Sequence, residues 1–374
     1  MMEKDLNMDA KPGLELLLEE SSLKGARRAE RYPSRRFFGF FCSYWPEELV
    51  LAAGLEPFRL LPQVSGATPA ELPAYSCSLA RGCLAAALEG QCQDLAGVGF
   101  AHTCDTMQSL GGIWKDAVPG LPVLFMVPPV RLDAPGAQKY FKSQLLAMRR
   151  GLETISGRRI GDEDLGRAVK LCQRIRSQAG ELDKLRPGLP SHLTAAVMRA
   201  GQVMPREAYA KTLDAAMPLL REMAAGPGGR VRLMVSGAVM EDDGLFQMLE
   251  GLGGRVVADD TCTGYRHYQD PAAAEETDLL DAIVQRFTRM PPCPCRCRAL
   301  DERIDYLEDL ARERQAQGVL LVIRKYCEPH AWDSVPLSDR LRKKGTRTMV
   351  LELEGSDIGG PERTRLQAFL ESLY

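Results

Sequence analysis

The sequence predicts an α/β protein with two lobes, each built on a parallel sheet, and a helical segment between them. Short apolar runs alternate with helix-like segments over residues 37–127 and again over 231–353. That alternation is typical of strand–helix–strand units in parallel sheets. Residues 136–226 instead combine periodic apolar positions with many Arg and Lys, and a GPGG sequence ends them. The predicted segments are an N-terminal α/β lobe with a helical leader (1–135), a helical segment (136–227) and a C-terminal α/β lobe (228–374).

The individual elements follow from apolar periodicity and from helix boundary signals, such as Pro46 before a helix and Gly54 after it. The first lobe is predicted to contain a leader helix at 14–30, strands at 37–41, 57–61, 96–101 and 122–127, and helices at 47–53, 78–89 and through about Trp114. The middle segment is predicted to form helices at 139–150, 162–178 and 206–225. The second lobe is predicted to have strands at 231–236, 255–258, 319–323 and 347–353, with helices at 242–252, 273–288, 299–316, 336–343 and 361–373.

Charge and hydropathy exclude two classes of partner. Forty-eight Lys and Arg against 50 Asp and Glu give a net charge of -2, without the basic footprint that nucleic-acid binding needs. The polar N-terminus has no signal-peptide core. The longest apolar run, 121–130, contains three prolines and is too short to span a bilayer. We therefore expect a soluble cytoplasmic protein that binds neither nucleic acid nor membrane.

Eleven cysteines indicate metal or redox chemistry, because disulfides are rare in a reducing compartment. Cys83, Cys92 and Cys172 are interpreted as small buried side chains. Four others lie near the carboxyl ends of predicted strands, where parallel sheets bind ligands: Cys42, Cys104, Cys262 and Cys327. Thiolates are the ligands of iron–sulfur clusters.

The compact tract Cys293-Pro-Cys295-Arg-Cys297 leaves a zinc site, a redox tract and an exposed loop open. No ferredoxin-type cysteine spacing is present. The residues alone therefore predict a metal–thiolate protein.

The sequence resembles the 2-hydroxyacyl-CoA dehydratase and benzoyl-CoA reductase family. The matching blocks are GFFCSYWPEELVLAAGLEPFRL, CSLARGCLAAALEG, LAGVGFAHTCDT, VRLMVSGAVMEDDGLFQMLEGLGGRVVADDTCTGYR and LLVIRKYCEP, followed by ERTRLQAFLESL. They occur in the expected order and cover roughly residues 35–374. Within the family, the chain is most similar to members with the extra cysteines of the double-cubane cluster proteins.

The resemblance implies two flavodoxin-like, doubly wound lobes with an iron–sulfur cluster in the cleft between them. In dehydratase subunits of the family, three cysteines hold one [4Fe–4S] cluster, and the matching positions are Cys77, Cys104 and Cys327. Three further cysteines would complete a pair of linked cubanes of the [8Fe–9S] type, three thiolates to each cubane: Cys42, Cys262 and Cys293. Cys295 is the alternative to Cys293, and a packing role for Cys42 and Cys262 stays open.

The resemblance also implies that a separate ATP-hydrolysing iron–sulfur activator delivers low-potential electrons for reduction of a small-molecule or acyl-CoA substrate. The chain has no P-loop and no dinucleotide fingerprint, so it is expected to bind no nucleotide itself. Candidate catalytic proton-relay residues are Glu47, Glu48 and His102, and candidate cofactor-binding residues are Asp105 and Arg266. The alternative for the three acids is a position in the first turn of a helix, and for His102 a structural role.

Three functions follow from these observations. The first is a double-cubane reductase, expected as a homodimer. The second is a subunit of an acyl-CoA dehydratase or benzoyl-CoA reductase with a single [4Fe–4S] cluster, expected in a heterodimer with a homologous chain. The third is a non-catalytic iron–sulfur scaffold for electron transfer. The physiological substrate cannot be read from the sequence.

Overall fold

The computed structural model describes residues 3–22, 25–62, 68–225, 231–270, 278–295, 299–355 and 358–374. The chain forms two compact units, and each is discontinuous in sequence. The N-terminal unit comprises Leu23–Arg176 and Gln269–Arg298, and the C-terminal unit comprises Met1–Ser22, Ser177–Tyr268 and Ala299–Tyr374. The three predicted segments 1–135, 136–227 and 228–374 concern the order of elements along the chain, and they stay a prediction.

The N-terminal unit contains a four-stranded parallel sheet with strand order β2-β1-β3-β4. Its strands are β1 (Phe37–Phe40), β2 (Glu56–Arg59), β3 (Leu95–Ala101) and β4 (Val123–Met126). Its helices are α2 (Gly25–Arg31), α3 (Glu47–Ala52), α4 (Ser78–Leu88), α5 (Asp105–Ala117), α6 (Ala137–Ser156) and α11 (Leu279–Arg289), with the first part of α7 (Asp162–Leu185).

The C-terminal unit repeats this strand order in a second parallel sheet, β6-β5-β7-β8. Its strands are β5 (Val231–Gly237), β6 (Gly254–Asp260), β7 (Gly318–Arg324) and β8 (Arg347–Leu353). Its helices are α1 (Glu3–Glu20), the end of α7, α8 (Ser191–Val203), α9 (Arg206–Ala224), α10 (Gly244–Gly251), α12 (Leu300–Glu313), α13 (Glu328–Lys343) and α14 (Gly360–Glu371).

Apolar side chains on both faces of the second sheet explain its doubly wound arrangement. Along β5, Leu233 and Val235 pack into one core cluster with Leu366 and Leu370 of α14. Met234, on the opposite face, packs into a second cluster with helices α12 and α13. Helices therefore cover both faces of a sheet whose side chains alternate in direction. The predicted fold class, two doubly wound parallel-sheet lobes, is confirmed.

In the N-terminal unit, Trp45 fixes the loop that follows β1. Its ring is 1% exposed and stacks on Phe38, with ring centroids 5.7 Å apart. The ring lies directly against the backbone of β3, and a Cβ atom at Gly99 would overlap it. Glycine at position 99 is therefore required by the close approach of the indole ring, and the same contact holds the loop that carries Cys42.

Two element predictions were wrong, and one helix was missed. The leader helix ends at Glu20, and α2 starts anew at Gly25 instead of continuing the predicted helix 14–30. The helix predicted at 336–343 begins at Glu328, because Pro336 lies inside α13 and Pro329 occupies its first turn. Helix α8 was missed because all its side chains except His192 are buried, so its sequence lacks a polar stripe. The predicted residues 273–277 lie outside the described residues.

The described helices include none that is long and apolar enough to cross a bilayer. The ten cysteines in the described ranges are all reduced thiols. Cys83, Cys92 and Cys172 are buried, as interpreted from the sequence, and burial raises the pKa of the Cys92 thiol to about 11. These three side chains therefore act as small apolar residues.

Replacing Gly99 by Ala is expected to destabilise the N-terminal unit by about 1–3 kcal/mol, because the added methyl group overlaps the Trp45 ring. The measurement is the free energy of unfolding from denaturant titration. The matched control is Gly112→Ala in α5, where no atom lies within 4 Å of the added Cβ. That change should leave stability equal or raise it by about 0.5–1 kcal/mol. Equal stability of the Gly99→Ala variant and the original protein would contradict the packing described.

Candidate functional site

Three cysteines of the N-terminal unit lie at the carboxyl edge of its sheet or at a helix start. Cys42 follows β1, and Cys104 follows β3 and is the N-cap of α5. Cys77 is the N-cap of α4. A helix N-terminus presents backbone N–H groups and a positive dipole end, which favour a thiolate over a thiol. The helix N-termini therefore favour the thiolate forms of Cys77 and Cys104, which are the forms that bind metal ions.

The tract around Cys295 brings further thiols to Cys104. Cys295 donates a hydrogen bond to Cys104 and is also hydrogen-bonded to Cys293, and Cys77 lies close enough to Cys104 to influence its ionisation. Hydrogen bonds therefore join Cys104, Cys295 and Cys293, with Cys295 in the middle. Cys77 lies near Cys104. The assignment of these thiols as metal ligands stays a prediction.

The hydrogen bond between Cys104 and Cys295 shifts the pKa values of the two thiols in opposite directions. The hydrogen bond from Cys295 holds the pKa of the Cys104 thiol below its ordinary value, against the effect of burial. Backbone N–H groups of Thr106 and Met107 lower the pKa of Cys104 further. The pKa of Cys295 is raised well above its ordinary value, first by its hydrogen bonds to Cys104 and Cys293 and then by burial.

Cys42 and Cys293 share a different environment. Both are partly buried and pack against the hydrophobic core of the N-terminal unit, which includes Trp45 and Phe287. The sequence left a packing role for Cys42 open, and its contact with this core agrees with either role. Cys297, the last cysteine of the tract, lies outside the described residues.

The C-terminal unit carries two more thiols at the carboxyl edge of its sheet. Cys262 follows β6, and Cys327 follows β7 and is the N-cap of α13. Strand β5 lies between β6 and β7, so its last residue, Gly237, separates the two sites. Tyr326, just before Cys327, adopts φ 62°, a left-handed conformation that is uncommon for a bulky residue. Such strain is found most often at functional sites.

Each of these two thiols contacts a nitrogen atom. Arg266 Nη2 lies 3.0 Å from the sulfur of Cys262, and His330 Nδ1 lies 3.2 Å from the sulfur of Cys327. The sequence identified Arg266 as a candidate but missed His330. The signal that could have found it is the spacing Cys-x-x-His across the start of a helix, which turns both side chains towards each other.

The predicted acids Glu47 and Glu48 lie buried in the first turn of α3. Glu48 forms an ion pair with Arg176, which also contacts Asp270 at 3.2 Å. Burial opposes ionisation of Glu48, but the charges of Arg176 and Arg286 hold its pKa below the ordinary value. Glu48 is therefore a carboxylate in a buried ion-pair network beside a small pocket. A relay role for Glu47 and Glu48 stays a prediction.

His102 and Asp105 flank Cys104 in sequence. The His102 ring packs edge-on against Phe125 with centroids 5.4 Å apart, and its backbone N–H donates to the carbonyl of Met126. Asp105 is exposed in the first turn of α5, where an acid suits the helix dipole. Their proposed chemical roles stay predictions.

The donor set fits an iron–sulfur centre. The six candidate ligands and the alternative Cys295 are divided between the two units. The C-terminal unit contains Cys262 and Cys327. The N-terminal unit contains the other five: Cys42, Cys77, Cys104, Cys293 and Cys295. Thiolate is the ligand such clusters take. Across the described part of the chain, no three Cys, His, Asp or Glu side chains stand in a ready-made metal geometry. The described thiols therefore do not form a ready-made binding site for a single metal ion.

Comparison with known proteins gives the family. The family model described as 2-hydroxyglutaryl-CoA dehydratase, D-component, matches residues 42–373. The beta subunit of (R)-phenyllactyl-CoA dehydratase from Clostridium sporogenes is 25% identical over 88% of this chain and 90% of its own length. One of the subunits of benzoyl-CoA reductase from Thauera aromatica is 25% identical over 96% of both chains.

A third relative extends the same group. The beta subunit of (R)-2-hydroxyglutaryl-CoA dehydratase from Acidaminococcus fermentans is 26% identical over 91% of this chain and 93% of its own length. All three relatives are named as subunits of a dehydratase or a reductase that acts on an acyl-CoA thioester. The match extends over nearly the whole chain and includes every predicted cysteine ligand. The chain therefore belongs to the 2-hydroxyacyl-CoA dehydratase and benzoyl-CoA reductase family of enzymes.

Proposed function

We propose that the protein is the iron–sulfur reductase component of a system in this family. It holds a double-cubane cluster of the [8Fe–9S] type and receives low-potential electrons from a separate ATP-hydrolysing iron–sulfur activator. What supports the proposal is that Cys77 and Cys104 lie at helix N-termini and that hydrogen bonds join Cys104, Cys295 and Cys293. Thiolates are what an iron–sulfur centre requires.

Counting supports two cubanes, and the ligands of each are those that the family resemblance implies. A single cubane takes at most four cysteines, whereas the chain offers five at sheet edges or helix starts and a sixth, Cys293, in the loop between α11 and α12. Cys77, Cys104 and Cys327 would bind one cubane. The remaining three, Cys42, Cys262 and Cys293, would bind the other. The bound centre would supply one-electron reduction chemistry.

The chain's own residues hold this centre and shield it. Helices α4 and α5 direct their N-termini at Cys77 and Cys104, which favours the thiolate form of both. Beside the Cys42 loop, Phe41 and Trp45 are buried and keep water from that side of the site. Burial and hydrogen bonds to sulfur are the means by which a protein sets the potential of such a centre.

Electron supply from a separate protein agrees with the sequence. The chain contains neither a P-loop nor a dinucleotide fingerprint, so ATP hydrolysis belongs to the partner. The substrate is a small molecule or an acyl-CoA thioester. Under this proposal the protein is a cytoplasmic homodimer.

The second candidate is a dehydratase or reductase subunit with one [4Fe–4S] cluster. The names of the relatives favour it, because they are subunits of multi-subunit enzymes. It requires only Cys77, Cys104 and Cys327 as ligands, and it leaves Cys42 and Cys262 to packing. It also requires a homologous partner chain, so the mass of the purified assembly separates a heterodimer from a homodimer.

Iron content separates the two candidates. Protein purified without oxygen is expected to hold about eight irons per chain. Cys42→Ala and Cys262→Ala should each retain about four, because each loses a ligand of the second cubane. The matched control is Cys83→Ala, a buried thiol in the middle of α4, which should keep all its iron. About four irons in the original protein, all retained by both ligand variants, would reject the double cubane.

The choice between Cys293 and Cys295 is tested in the same way. We expect Cys293→Ala to lose about half of the iron and Cys295→Ala to keep it. Cys293 packs against the same core as Cys42, whereas Cys295 is a buried hydrogen-bond donor to Cys104. Iron and sulfide analysis of both anaerobic variants is the measurement. Loss of iron in Cys295→Ala alone would assign the ligand to Cys295 instead.

A further inference from the structure

The two thiols of the C-terminal unit each have a nitrogen donor close to their sulfur, and both donors are buried. We propose that Arg266 and His330 are positioning residues that each hold one sulfur, that of Cys262 and that of Cys327, by an N–H···S hydrogen bond. In this way they raise the reduction potential of the iron bound there. The inference rests on the proposed function, because it requires iron on these sulfurs.

Arg266 is fixed by three acceptors at once. Its Nη2 donates to the sulfur of Cys262 at 3.0 Å and to the carbonyl of Gly237 at 2.6 Å. Its Nη1 donates to Asp260 Oδ2 at 3.1 Å. Arg266 is 2% exposed and Asp260 is fully buried. A planar guanidinium can serve three acceptors in fixed directions, whereas the ammonium of Lys is a point charge on a flexible chain.

Asp260 is itself held from other sides, so the guanidinium has little freedom. Ser236 Oγ donates to Asp260 Oδ2 at 2.6 Å, and Tyr306 Oη donates to Oδ1 at 3.3 Å. Arg303 lies 3.6 Å from the same carboxylate. These contacts come from β5 and α12, which pack on the end of β6. Asp260 therefore neutralises the buried guanidinium of Arg266 through Nη1 and leaves Nη2 directed at the sulfur of Cys262.

His330 holds the second sulfur from the first turn of α13. Its Nδ1 lies 3.2 Å from the sulfur of Cys327, and the residue is 7% exposed. A sulfur bound to iron carries no proton, so only the tautomer with the proton on Nδ1 makes this hydrogen bond.

Gly237 fixes the first of the two donors. Its carbonyl accepts a hydrogen bond from Arg266 Nη2 at 2.6 Å. Gly237 ends the strand between β6 and β7, and a Cβ atom there would overlap the carbonyl of Val322. One tightly packed backbone position therefore sets the place of Arg266 relative to Cys262.

The expected effect has a definite sign. Reduction adds negative charge to an iron–sulfur centre, and part of that charge resides on the cysteine sulfurs. An N–H donor stabilises the more negative, reduced form and so raises the reduction potential. Loss of either donor should shift the potential to more negative values and make the centre harder to reduce.

The experiment is a redox titration of the iron-loaded protein, followed by electron paramagnetic resonance. Arg266→Lys and His330→Leu are expected to lower the midpoint potential at unchanged iron content. His330→Asn, whose amide can place an N–H near the position of Nδ1, should stay closer to the original value. The matched controls are Arg199→Lys, a buried Arg bound to Asp243 and Ser21, and His192→Leu, an imidazole paired with Glu250. Both controls should leave the potential unchanged.

Each variant is first checked for iron content and thermal unfolding. The two substitutions act on different sulfurs, so either one that folds and holds iron tests the inference. Potentials of Arg266→Lys and His330→Leu equal to the original value would overturn it, as would equal shifts in the two controls. Absence of iron from the original protein would instead overturn the proposed function, so the two failures are distinguishable.

Discussion

The structure depends on one constraint, the parallel direction of the strands in each sheet. Parallel strands end at the same edge, and the helices that follow them begin there. Cys42 and Cys104 reach the edge of one sheet in this way, and Cys262 and Cys327 reach the edge of the other. Residues far apart in sequence are thereby brought near one another on rigid elements. Helix N-termini at the same edges supply the electrostatic environment that thiolates need.

Close packing and buried charge pairs keep these edges in place. On one sheet, the Trp45 ring lies on the backbone of β3 and leaves room only for Gly99. On the other, Gly237 lies against the carbonyl of Val322 while its own carbonyl orients Arg266. Both glycines lie on central strands next to a cysteine-bearing loop. Removing one partner of a buried ion pair leaves an uncompensated charge at high energetic cost.

The sequence predicts each of the eight strands found in the described residues, and the parallel sheets, because the apolar runs are short and regularly separated by helices. It fails where burial or tertiary contacts override the local signal. Helix α8 is buried nearly all round and has no polar stripe, and Pro336 resembles a helix start although it lies inside α13. Cys42, Cys104, Cys262 and Cys327 were recognisable from their positions after strands, whereas Cys293 was named only through the family resemblance. The contacts of His330 and Cys295 were not recognisable, because they depend on how side chains meet in space.

The central claim is that sulfurs from both sheets bind iron. A crystal structure of the iron-loaded protein, grown and measured without oxygen, tests this most directly. The account predicts electron density for iron bonded to the sulfurs of Cys77 and Cys104 and also to that of Cys327. Iron bonded to sulfurs of one unit alone, or to none of these three, would contradict it.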